Sequence, residues 1–155
     1  MGRHGEGYHN AAETYYGTPA WNVSSPTHVS YHNAHVVQCY WSKKDCNGTV
    51  VWADAHIDAN GILQAQKANA FWLSRLELQK IPLPETYYTS PLIRCLETAN
   101  ITFSTLPLPR NQPFIPIVKE LFREGISGHT CDRRSNRSYI HDNFPTYVIE
   151  KGFSE

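Results

Sequence analysis

Apolar side chains recur with helical spacing in the middle of the chain. Between about Asn60 and Gln79, Ile62, Ala65, Gln66, Asn69 and Trp72 fall near one stripe, and Leu63, Ala70 and Leu73 widen its apolar side. Pro82 and Pro84 end this predicted helix. Thr86-Tyr87-Tyr88-Thr89 is aromatic and β-branched, which predicts a strand. Ser90-Pro91 then pairs a hydroxyl N-cap with proline at a first helical position, and Leu92, Leu96, Ala99 and Phe103 keep helical spacing behind it. A Pro-rich connection from Leu106 to Pro116 leads to a short segment, Ile117 to Phe122, and the Gly-, Ser- and Arg-rich chain beyond Gly125 is expected to be loop. The region from Tyr8 to about Asp58 reads as polar, aromatic and turn-rich. Strand, helix and strand in alternation predict an α/β domain with a mostly parallel sheet.

A chain of 155 residues accommodates one core, so residues 1–155 are expected to form a single domain. Fourteen Lys+Arg balance 14 Asp+Glu, which argues against a nucleic-acid or membrane electrostatic role; phosphate-binding charge must be local. No apolar run approaches the roughly 20 residues that span a bilayer, and no leader pattern precedes the first motif, so the expectation is a cytoplasmic protein. Cys39, Cys46, Cys95 and Cys131 lack the spacing of a paired CxxC zinc site or of a disulfide framework.

Short stretches supply complementary parts of one reaction. Arg3-His4-Gly5 sets an imidazole beside a guanidinium at an expected strand-to-loop junction, and Asn10 adds an amide donor. A neutral histidine nitrogen can attack phosphorus and carry the phosphoryl group covalently. The planar fork of arginine matches phosphate oxygens, and Gly5 lets the backbone approach the anion. Ser90-Pro91-Leu92-Ile93-Arg94 places a second arginine, Arg94, in a helical first turn, where backbone N–H groups already favour an anion. Glu124, in the run from Leu121 to Gly128, offers a carboxyl that could protonate a leaving alkoxide and later activate water.

The run Arg3-His4-Gly5 with Asn10 resembles the RHGxxxxN signature of the histidine phosphatase superfamily, in its phosphoglycerate-mutase-like, fungal-type group. Gly61, Gln64 and Ala65 match the GxxQA helix start of that family, Ser90 to Ala99 resembles its SPLxRxxxTA motif, and Leu121 to Gly128 resembles its acidic segment. The resemblance implies a three-layer α/β/α sandwich with a mostly parallel sheet, and no metal or other cofactor. It implies phosphomonoester hydrolysis or phosphomutase chemistry on a small phosphorylated substrate. His4 would be the phospho-acceptor, Arg3, Asn10 and Arg94 the phosphate ligands, and Glu124 the proton donor.

The chain departs from the family pattern at three places. Only Met1 and Gly2 stand before Arg3, where an opening strand is expected, and no Ser-His-x-Gly motif follows, His129 and His141 lying in other contexts. The expectation is therefore a domain truncated at both ends, with an inactive phosphoanion-binding module as the alternative function. Val23 to Gln38 interrupts the match and is expected to be an irregular insertion, its His28, His32 and His35 being unstructured rather than metal ligands. Arg133, Arg134 and Arg137 are candidates for lining an anion entrance, against a solvated loop.

Overall fold

The computed structural model describes residues 2–18, 21, 41–123 and 129–155. The expected insertion at 23–38, with its three histidines, and Glu124 lie outside the described residues. Helix α1 spans Tyr8–Tyr16, α2 Ala59–Gln79, α3 Ile93–Phe103 and α4 Arg137–Asn143. Strands β1 (Tyr88–Thr89), β2 (Ile117–Val118) and β3 (Val148–Ile149) form a parallel sheet in the order β1-β2-β3. Register pairs Tyr88 with Ile117 and Ile117 with Val148. The fold is thus α/β, with α3 leading from β1 to β2 and α4 from β2 to β3, as parallel connections require.

Helix α2 begins one residue from its expected start because the Asp58 carboxylate caps it, accepting from Gly61 N at 2.8 Å. It ends at Lys80, whose φ of 47° is left-handed, before the proline-bearing loop. Helix α3 starts two residues later than Ser90-Pro91 suggests. Ser90 Oγ takes only a long bond from Leu92 N (3.4 Å), and the first-turn amide of Ile93 donates instead to Asp54 Oδ1 at 2.9 Å, a carboxylate far away in sequence.

Two stretches expected to be irregular are ordered. The N-terminal region holds α1, where Gly7 is the N-cap and Asn10 Oδ1 reaches back to accept from its N–H at 3.1 Å. Beyond Gly125, Asn136 caps α4 by accepting from Tyr139 N at 2.8 Å, and β3 follows. Conversely, residues 2–6 form no strand, and Gly7 makes only an isolated antiparallel bridge to Ile57.

The main core joins Ile93 and Leu96 of α3, Val118 of β2, Ile140 of α4, Tyr147 and Phe153. A second cluster packs Trp52 against Trp21, Ala12 and Ala55. Helix α2 lies along α3, with Trp72 tilted against Phe103 (centroids 5.4 Å apart). No helix among the described residues is long and apolar enough to cross a membrane.

Candidate active site

The backbone bearing His4 is held by both central helices. Asp58 N donates to Glu6 O (2.9 Å) and Tyr8 N to His56 O (3.0 Å), so residues 6–8 run against 56–58. Gly5 N donates to Thr98 Oγ1 of α3 (3.0 Å), whose hydroxyl donates to Arg94 O (2.6 Å). Glu6 N donates to Gln64 Oε1 of α2 (2.9 Å). Such approach is possible because Gly5 and Gly61 face each other: a Cβ on Gly5 would lie 2.6 Å from Gly61 O, and one on Gly61 would collide with Glu6 O. Gly61, Gln64 and Thr98 therefore act together as a clamp on residues 5 and 6.

That clamp brings His4 to Arg94, 90 residues away. Arg94 Nε–H donates to His4 Nε2 at 3.2 Å, and on the opposite side His4 Nδ1 lies 2.6 Å from Gly5 O. A carbonyl oxygen only accepts, so Nδ1 carries the proton and Nε2 keeps its lone pair. Arg94 is fully buried; its Nη1 donates to Cys131 O (2.6 Å) and its Nη2 lies 3.5 Å from Asp132 Oδ1. Asp54, which caps α3 just before Arg94, also accepts from Ser135 N at 2.6 Å. Burial pushes the Asp54 carboxyl upward, and these two amides and Arg94 pull it back.

Arg3 is exposed and lines, with His4 and Asn10, a cleft of about 530 Å³. The sequence-predicted His4, Arg3, Asn10 and Arg94 thus converge: three on the cleft wall and Arg94 buried against His4. Asn10 spends its carbonyl on the α1 cap, which leaves its Nδ2 as the donor side. Glu124 lies outside the described residues. Glu120, four residues earlier in the chain, is held by Arg123 (2.9 Å) and Arg134 (2.7 Å).

The three arginines proposed for an anion entrance have other places. Arg133 pairs with Asp45 (2.7 Å), Arg134 sits over the Phe153 ring (4.1 Å) and Arg137 is exposed at the start of α4. None of them lines the cleft. The partners of Arg133 and Arg134 follow from the order of the 129–155 segment, which the Gly/Ser/Arg composition concealed.

His9 escaped the sequence reading as a site residue. It is 8% exposed, its ring centroid lies 5.7 Å from that of His4, and its Nδ1 has no hydrogen-bond partner. Burial above all, then the charge of Arg94, then His4, holds its imidazole down to about 3, so it is neutral at physiological pH. Its signal was positional: it stands one residue before Asn10 inside the motif, on a helix the composition hid. Among the described residues, His129, Cys131 and Asp132 bring ligand-type atoms within 4.8 Å of one another. They fit a metal poorly: Asp132 faces the Arg94 cation, and burial pushes the Cys131 thiol up to about 12.

Comparison with known proteins places this geometry in context. The model of the histidine phosphatase superfamily (branch 1) matches residues 38–120, a span that includes Gly61, Gln64, Arg94 and Thr98. The chain is 52% identical over 155 residues to a protein of Arthroderma benhamiae described as a probable phosphoglycerate mutase, covering 100% of this chain and 41% of that one. It is 32% identical over 154 residues to phosphomutase-like protein 3 of Candida albicans, covering 99% of this chain and 41% of the relative. A probable phosphoglycerate mutase of Saccharomyces cerevisiae is 29% identical over 157 residues, 48% of its length. The chain spans about two fifths of the length of the first two relatives. No solved structure matches.

Proposed function

From the premise that this chain belongs to the histidine phosphatase superfamily (branch 1), we propose that it removes or transfers the phosphoryl group of a small phosphomonoester through a phosphohistidine at His4. The observation that carries this reading is the 3.2 Å contact of Arg94 Nε with His4 Nε2, the ring nitrogen that retains its lone pair. The lone pair is aimed where a guanidinium waits, so an arriving phosphate oxygen can take over the Arg94 N–H as the phosphorus meets Nε2. Arg3 and Asn10 supply further donors from the cleft wall.

In the first step the Nε2 lone pair forms a P–N bond, the ester P–O bond breaks, and the alkoxide takes a proton, in this reading from Glu124. Asp132 and Cys131 O hold Arg94 from behind, so its charge is oriented before substrate arrives. In the second step water attacks phosphorus, the P–N bond breaks, and the carboxylate accepts the water proton, releasing phosphate and neutral His4. Hydrolysis is favoured over mutase work, because only one arginine, Arg3, faces the cleft among the described residues and no second phosphate site accompanies it.

The test is rapid mixing with an aryl phosphate. A burst of phenolate equal to the enzyme concentration is expected, falling at least about 1000-fold in His4→Ala and about 100-fold or more in Arg94→Ala. Phosphate binding with no burst would instead establish the phosphoanion-binding alternative. An unchanged rate in His4→Ala would overturn the phosphohistidine.

A further inference from the structure

We infer that the cleft beside His4 selects singly phosphorylated esters whose remaining part is uncharged and rich in hydroxyl groups, and rejects substrates bearing a second anionic group. This rests on the function proposed above and names its substrate class. Around the phosphate position the wall is made by Arg3, Glu6, Asn10, Glu13, Thr14 and Gln64. Two carboxylates therefore face one guanidinium before any ligand arrives. Neither Glu6 nor Glu13 has an ion-pair partner among the described residues, and Arg94, which faces His4, is buried behind the cleft wall with Asp132 at 3.5 Å. Arg3 is the only Lys or Arg lining the cleft among the described residues.

A phosphate dianion held by Arg3 and Arg94 engages the one guanidinium on the cleft wall and the one behind His4 among the described residues. A second phosphate or a carboxylate would then meet Glu6 and Glu13, the remaining charges on the described wall, and both are negative. Hydroxyl groups meet the opposite situation. Carboxylate oxygens accept from them, and the Asn10 amide, the Gln64 amide and the Thr14 hydroxyl offer both donors and acceptors. The volume of about 530 Å³ leaves room for a sugar-sized group beyond the phosphate. The two relatives described as probable phosphoglycerate mutases carry in their names a substrate with a carboxylate beside its phosphate, which is the class this cleft disfavours.

Calorimetric titration of the chain at neutral pH tests the inference, using inorganic phosphate, ribose 5-phosphate and 3-phosphoglycerate, with His4→Ala run in parallel so that turnover does not confound the heats. Ribose 5-phosphate is expected to bind roughly tenfold more tightly than 3-phosphoglycerate. Glu13→Gln and Glu6→Gln should each narrow that gap, and Glu13→Arg should reverse it. Equal or tighter binding of 3-phosphoglycerate, or a gap that the glutamate variants leave untouched, overturns the inference while leaving the phosphohistidine intact. Failure of inorganic phosphate itself to bind, with no aryl phosphate burst, overturns both.

Discussion

His9 lies against His4 while remaining almost wholly buried. A buried imidazole nitrogen with no partner costs on the order of 1–3 kcal/mol, so its place beside His4 and Arg94 works against stability. Its neutrality matters, since a cation there would repel Arg94. The pH consequence has a definite sign. The imidazole falls from 6.5 in the unfolded chain to about 3 when folded, so folding favours the neutral form. The His9 titration leaves stability unchanged above about 6.5 and lowers it progressively as pH falls toward about 3, where the unfolded chain alone takes up the proton. Denaturant unfolding of the wild type should therefore weaken faster than that of His9→Phe across this acid window, by up to about 1.4 kcal/mol per pH unit. At neutral pH the same variant should lie within about 1 kcal/mol of wild type, because ring volume is kept and an orphaned polar atom is removed. Parallel acid profiles for the two proteins would refute this account.

At the scale of elements, the site depends on a helix and a loop meeting at two glycines. Gly61→Ala is expected to force α2 away from Glu6 O, breaking the Gln64 and Thr98 bonds to the loop and moving His4 off Arg94. The expected outcome is destabilisation by roughly 1–3 kcal/mol together with loss of most phosphate affinity, read by thermal melting and calorimetry. A loss of stability with phosphate binding preserved would show that the contact is mere packing. The same elements mark what the sequence made legible. Helix α2 could be read because its cap, Asp58, is local and apolar residues recur through its 21 residues, although only Gly61 and Ala65 are buried and Ile62 and Leu63 of the expected stripe are exposed. The start of α3 was displaced because its amide is capped by Asp54, a partner 39 residues away that no local pattern announces. Helix α1 was hidden because its nine residues are mostly polar and aromatic and lie between Gly7 and Gly17, which reads as a turn-rich stretch.

At the scale of the molecule, the pairing of His4 with Arg94 was legible from motifs, whereas the supports behind Arg94 were not. Cys131 and Asp132 sit in a stretch whose glycine, serine and arginine content reads as loop, yet Arg134 ties it to Glu120 and Ser154 while Ile140 enters the core. The main core links the sheet to α3 directly, so stability and site geometry are coupled through it. Leu96→Ala, two residues beyond Arg94 and wholly buried, should cost about 2–5 kcal/mol in chemical unfolding. A change below about 1 kcal/mol would mean that this position can collapse around the void.

Asp54 extends that coupling into time. One carboxylate fastens backbone amides that lie 39 and 81 residues along the chain, at Ile93 and Ser135. Closing spans of this length is slow compared with winding a helix, so the fastening belongs to the last events of folding. During refolding, helical signal should therefore return first, and the capacity to hold phosphate should return only with the slowest phase. A chain emerging during synthesis cannot complete this fastening until the residues around Ser135 have joined the rest.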